Sequence, residues 1–189
     1  MAKVKNNLVL HGLSGMLGRQ VVIRRAKNGQ YVVSAAPRRR SSPLSEAQKA
    51  HIELFRRAIV YARGASAVPE YETAAAARGL TSRNVAIADF LHPPEIKALD
   101  LSGYHGDRGQ PVVVIATDDV KVKSVRVRIS AEDGTSIEQG AAIVSDSDAT
   151  HWTYTTTKKT NATSLQISAD ASDLAEHVTT LARALELTA

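Results

Sequence analysis

From Glu95 to the C-terminus the apolar residues recur at every second position, and this constrains the fold more than any other feature of the chain. Val125, Val127 and Ile129 fall on one side of such a segment, and Ser124, Arg126, Arg128 and Ser130 on the other, because successive side chains of a strand alternate. Val112–Ala116 is continuously apolar, as in a central strand covered on both faces. Gly106-Asp-Arg-Gly109 and Glu132-Asp-Gly134 are turn signals. Ile96–Tyr104, Ile137–Val144, Trp152–Thr157, Leu165–Ala169 and Val178–Leu187 complete a set of seven strands, the pattern of a β-sandwich. Leu174–Leu187 also suits a helix by its Ala and Leu content. A strand is preferred there because the sandwich needs a closing one.

Before Pro93-Pro94 the period is helical. Ser45-Glu-Ala-Gln48 has the form of a capping box. The helix it opens runs to about Arg63 and stops at Gly64. Its apolar face is Leu44, Ala47, His51, Leu54, Phe55, Ala58, Ile59 and Ala62, so His51 reads as a packed histidine and Phe55 as core. A second helix, about Pro69–Arg78, has proline at its start and Gly79 at its end. A third, about Ser82–Leu91, is capped by Ser82 and ended by the prolines.

The first segment reads as strands. Asn6–His11, Gln20–Arg25 and Tyr31–Ala35 are candidates, and Asn28-Gly29 is a hairpin turn signal. Residues 1–94 thus form a β-hairpin or meander plus a three-helix connector, and residues 95–189 the sandwich. The fold class is α+β, mainly β.

Charge divides at about the same place. Residues 1–66 hold 13 Lys/Arg against Glu46 and Glu53, a net of +11; residues 67–189 hold 11 against 17 acids, a net of −6. A basic head suits an anionic partner: nucleic acid, a membrane surface or the acidic face of another subunit. The candidate contact residues are Arg19, Arg24, Arg25 and Lys27 on the hairpin, Arg38, Arg39 and Arg40 after it, and Arg56, Arg57 and Arg63 on the helix. A basic ribbon tracks phosphates, but Tyr31, Phe55 and Tyr61 are few aromatics for stacking on bases. Contact would be with backbone and without sequence specificity.

Catalytic and metal signatures are sparse. There is no cysteine, which excludes disulfides, thiolate sites and thiol nucleophiles. His11, His51, His92, His105, His151 and His177 include no pair at helical metal spacing. Gly12-x-x-Gly15-x-x-Gly18 precedes the β-branched run Val21-Val22-Ile23 rather than a helix, so it reads as turn glycines and not a phosphate loop. Asp118-Asp119, Glu132-Asp133 and Asp146-x-Asp148 lie in loops, where turns favour Asp. No nucleophile elbow or Walker motif occurs. The expectation is no catalysis, no cofactor and no metal. No stretch has the length of a membrane span, and the N-terminus is not a secretory signal. The expected location is the cytoplasm or a particle assembled there.

Ala116-Thr-Asp-Asp-Val-Lys-Val-Lys-Ser-Val-Arg-Val, then Asp133-Gly134 and Trp152-Thr-Tyr154, resembles bacterial immunoglobulin-like modules. The resemblance implies that the sandwich is an immunoglobulin-like one of seven strands, and implies no activity. Gly12–Gly18, Ser34-Ala-Ala-Pro37 and Gln48 with Phe55 resemble a set of small uncharacterised bacterial proteins with a glycine-rich basic head. The functional expectation is a non-catalytic structural protein that self-assembles into a homo-oligomer through its basic N-terminal head. The alternatives are a nucleic-acid-associated protein using the same head, and a virion component or adhesin-like binding module.

Overall fold

The computed structural model describes residues 2–4, 10, 12–26, 29–37 and 42–187. The chain divides into two compact units, residues 1–45 and residues 46–189. Strand exceeds helix, 38% against 24%, so the chain is mainly β with three helices.

The first unit is a four-stranded antiparallel sheet of β1 (Ala2–Val4), β2 (Gly15–Leu17), β3 (Val21–Arg25) and β4 (Tyr31–Ala35), in the order β1-β4-β3-β2. Its tightest turn joins β2 to β3. Gln20 N–H donates to Leu17 C=O at 3.1 Å, and Gly18 and Arg19 both have positive φ, 58° and 56°. Both central residues are thus left-handed, a conformation that suits Gly18 and is uncommon for a residue such as Arg19. The connection from β3 to β4 is a hairpin where the Asn28-Gly29 signal marked one: Ala26 N–H donates to Gln30 C=O at 2.8 Å, Gly29 N–H donates to Ala26 C=O at 2.9 Å, and Gly29 has a φ of 78°. Asn28 itself, Lys27 and most of the Asn6–His11 strand candidate lie outside the described residues.

Register puts Leu17, Val21 and Ala35 on one face of this sheet together with Ile23, Val33 and Tyr31. Of the described residues in this unit, only Ile23 and Tyr31 are buried. Gly12 N–H donates to the Tyr31 hydroxyl at 2.9 Å, which draws the glycine segment against β4. Leu13, Met16 and Leu17 stay exposed.

The second unit begins with α1 (Glu46–Ala65), α2 (Pro69–Arg78) and α3 (Ser82–Leu91). α1 runs through Gly64 rather than stopping at it. α2 ends on Gly79, whose φ of 64° lets Leu80 N–H reach back to Ala75 C=O at 3.0 Å. The cap of α3 is Thr81 and not Ser82: its Oγ1 accepts from Asn84 N–H at 3.3 Å. Only the C-terminal half of α1 packs. Ala58 and Ala62 are buried, whereas residues 46–57 are exposed throughout. His51 and Phe55 are therefore not core residues; Phe55 is 42% exposed. The apolar period continues past the length of helix that the body covers.

Two antiparallel four-stranded sheets follow. One is β5 (Glu95–Asp100), β6 (Pro111–Thr117), β10 (His151–Thr155) and β9 (Ile143–Val144), in the order β5-β6-β10-β9. The other is β12 (Val178–Glu186), β11 (Ser164–Ser172), β7 (Ser124–Ala131) and β8 (Ser136–Ala141), in the order β12-β11-β7-β8. Both sheets line one core, which includes Leu99, Val112, Val114, Val125, Val127, Ile129, Leu165 and Ile167. The expected strand Ile137–Val144 is two strands. β8 pairs with β7, the chain bends at Ala142, and β9 pairs with β10 of the other sheet. Ala142 N–H holds the bend by donating to Val125 C=O at 2.8 Å. Residues 178–186 are a strand: every residue of β12 pairs with β11. No helix among the described residues is long and apolar enough to cross a membrane.

Candidate functional site

The basic residues expected to make contacts do not share one surface element. Arg19 sits in the β2–β3 turn. Arg24 and Arg25 are both exposed on β3, but Arg24 lies opposite Val32 and Arg25 opposite Tyr31, so they point to opposite faces of the sheet. Arg56, Arg57 and Arg63 are exposed on α1, in the other unit. Arg56 and Arg63 lie near one line along the helix, with Arg57 about 100° away. Arg56 is also paired with Glu53 at 3.4 Å, an exposed contact. Lys27, Arg38, Arg39 and Arg40 fall outside the described residues.

Gly12, Gly15 and Gly18 all have positive φ, and a Cβ added at any of them meets nothing within 4 Å. They serve backbone conformation rather than close approach. Three histidines each take one aspartate: His92 with Asp119 at 2.7 Å, His151 with Asp148 at 2.8 Å and His177 with Asp173 at 2.9 Å. No group of three or more His, Cys, Asp or Glu among the described residues is arranged to hold a metal ion.

The most unusual chemistry lies where the helices meet the sheet connections. Asp89, on α3, is completely buried. Its Oδ2 accepts from the hydroxyl of Tyr71, on α2, at 2.6 Å. The Tyr71 and Tyr61 hydroxyls are 2.8 Å apart, and Tyr61, on α1, reaches Leu174 C=O at 3.1 Å. Asp118, in the β6–β7 connection, is close enough to Asp89 for its carboxylate to act on it. Asp118 Oδ2 already accepts from Val120 and Lys121 N–H, at 3.2 and 3.0 Å. The remaining oxygens, Asp89 Oδ1 and Asp118 Oδ1, are buried and have no donor. Asp173, at the β11–β12 turn, is also fully buried and accepts from His177 N–H at 2.7 Å.

Burial pushes the Asp89 carboxyl up to about 7, because removal from water disfavours the charged form. The Tyr71 hydroxyl opposes the shift, while the carboxylates of Asp118 and Asp173 add to it. Burial, then the bond to Asp89, raises the Tyr71 hydroxyl far above its ordinary range. Tyr61 is raised by burial as well.

Around this cluster the helices are fastened by further contacts. Arg78 donates to Asp119 C=O, Lys121 pairs with Glu70 at 3.1 Å, and the Phe90 ring stands edge-on to His177 at 4.8 Å between centroids. Val120 and Leu174 complete the apolar packing with Tyr71, Ala75 and Val85. Asp118, Asp119, Val120 and Lys121, in the β6–β7 connection, are thus the seat of the helices. Sequence reasoning noted Asp118-Asp119 only as loop acids and Tyr61 only as an aromatic near the basic residues, and missed Tyr71, Asp89 and Asp173, which come from two helices and the β11–β12 turn.

A second polar group is embedded between the sheets. Glu138 Oε2 accepts from Tyr154 Oη at 3.1 Å, Thr157 N at 2.9 Å and Thr157 Oγ1 at 2.7 Å. The buried Tyr104 hydroxyl is pushed up to about 12, by burial first and then by Glu138.

No family model matches the chain, and no curated protein matches it. A crystal structure of an engineered protein aligns with 50% of the chain at 20% identity and a TM-score of 0.37, and the alignment spans 20% of that protein's own length. A likeness of this strength carries no argument about fold or function.

Proposed function

We propose that the protein is a non-catalytic structural protein that assembles with copies of itself through its N-terminal head. The observation that carries this reading is the unfinished apolar face of the head. Six apolar residues share one side of its sheet, yet only Ile23 and Tyr31 are buried and Leu17 on that side stands exposed; Leu13 and Met16, off that side, are exposed as well. A sheet of this size does not bury enough surface to be stable alone. The partner is a second copy because the charges match: residues 1–45 carry nine Lys/Arg and no acid, a net of +9, while residues 46–189 carry 15 against 19, a net of −4, and complementary fields favour head-to-body contact. The exposed start of α1, with Ile52, Leu54 and Phe55, adds to the same apolar demand.

The remaining 144 residues of the body are read as an immunoglobulin-like sandwich on helices. Strand order supports this. That arrangement places its first, second, fifth and fourth strands in one sheet and its third, sixth and seventh in the other. Counting β5, β6, β7, β9, β10, β11 and β12 as the seven gives the same partition, with β8 as an additional strand beside β7.

The test is light scattering of the full chain beside the Leu17→Asp and Val21→Asp variants, both on that face. The particle mass should fall toward that of the 20.2 kDa monomer in both variants. Unchanged mass would remove the head from the interface. Nucleic acid bound to the wild-type chain, with affinity falling steeply as salt rises, would replace self-assembly by phosphate-backbone binding.

A further inference from the structure

We infer that Asp89 keeps a proton that it donates to the Asp118 carboxylate, and that this bond is a latch holding α3 against the β6–β7 connection, which loosens as pH rises. The argument starts from donors. Each carboxylate has two oxygens and, when ionised, only accepts hydrogen bonds. Asp89 Oδ2 is served by Tyr71, and Asp118 Oδ2 by two backbone N–H groups. Their other oxygens are both buried without a donor, and the Asp118 carboxylate acts on Asp89 from nearby. Two ionised carboxylates in that position repel, and each leaves an acceptor unsatisfied. One proton between them satisfies both atoms and removes one charge, as in other close carboxyl pairs.

Among the described residues no cation is bonded to either of these two oxygens. α1 presents Tyr61 and α2 presents Tyr71. The β11–β12 turn presents Asp173, with Glu176 and His177 beside it, and His177 is bound to Asp173 through Nδ1. The strongest influences on Asp89 are burial, a hydroxyl and carboxylates. Nearby His92, Arg78 and Lys121 are engaged with Asp119, the Asp119 carbonyl and Glu70.

The sign follows from linkage. The folded protein holds a proton that the unfolded chain releases near its ordinary value of 3.8, and gives it up only near 7. The stabilisation is complete below the lower value and is lost as pH rises through the upper one. Where one extra proton is held, the unfolding constant grows close to tenfold per pH unit. The rise should therefore begin near pH 4, be steepest from about pH 5 to about pH 6, and level off above 7. The groups that separate are the helices and the β6–β7 connection, because Asp89 and Asp118 belong to one each.

The experiment is urea unfolding of the full chain across this range, in wild type, Asp89→Asn and Asp118→Asn. Asparagine supplies the donor permanently and carries no charge. Wild type should show the rise, and Asp89→Asn should abolish most of it while remaining folded at alkaline pH. Carbon-13 NMR of the wild-type Asp89 carboxyl gives a reading that does not depend on any variant, and its midpoint should lie near 7. A midpoint in the usual carboxylate range, or a slope unchanged in Asp89→Asn, would overturn the proposal. So would a calcium addition that restores stability at alkaline pH and lowers that midpoint, because the pair would then be a cation site.

Discussion

Tyr71→Phe isolates the hydroxyl at the centre of the helix–sheet junction. The ring is fully buried and phenylalanine keeps its packing. What is lost is the 2.6 Å bond to Asp89 Oδ2 and the 2.8 Å contact with Tyr61. A hydrogen bond to a charged group contributes about 1.5–3 kcal/mol, and one between neutral groups about 1 kcal/mol. Asp89 is ionised above about 7 and protonated below. The expected loss of stability is thus about 2 kcal/mol near pH 8 and about 1 kcal/mol near pH 5. Because the Tyr71 bond is the influence that lowers the Asp89 carboxyl, its removal also carries the Asp89 titration to higher pH. Stability held by the proton then persists further into the alkaline range before it is lost. Urea unfolding followed by Trp152 fluorescence at the two pH values measures both effects. A loss as large in acid as in alkali, or less than about 0.5 kcal/mol in both, would refute the view that this hydroxyl supports an ionisable buried carboxyl.

Three other outcomes are expected. In Gly140→Ala the new Cβ would lie 2.5 Å from Tyr154 Cε2, on a ring whose hydroxyl is tied to Glu138; overpacking of this kind costs about 1–3 kcal/mol, read by chemical denaturation. Gly79→Ala meets no atom within 4 Å but must hold φ at 64°; the cost is about 1 kcal/mol of conformational strain, visible as a lower Tm. Thr81→Ala removes the bond to Asn84 N–H and should destabilise by about 1 kcal/mol, whereas Ser82→Ala, at the position first read as the cap, should cost much less.

What the sequence made legible is what local pattern controls. Val125, Val127 and Ile129 are all buried in β7, as their alternation requires. α2 runs Pro69–Arg78, bounded by the proline and glycine that mark it in the sequence. Period does not reveal how far a partner reaches, so the apolar stripe of α1 looked like core along its whole length while residues 46–57 are exposed. Nor does period register a change of sheet. Ile137–Val144 is one apolar pattern but two strands, because the bend at Ala142 depends on a bond to Val125 in β7. The Leu174–Leu187 ambiguity was settled by a neighbour rather than by propensity, since β12 pairs with β11 along its full length. The junction was illegible for the same reason. Tyr61, Tyr71, Asp89, Asp118 and Asp173 have no common spacing and meet only when three helices dock on two sheet connections.

The central claim is that the head finds its missing apolar contacts on another copy of the chain. It is tested most directly by light scattering of the purified, nuclease-treated full chain across a dilution series. The account predicts a mass that is a multiple of 20.2 kDa and that falls on dilution or in high salt as charged head–body contacts weaken. A mass of one chain at every concentration and salt level would contradict it.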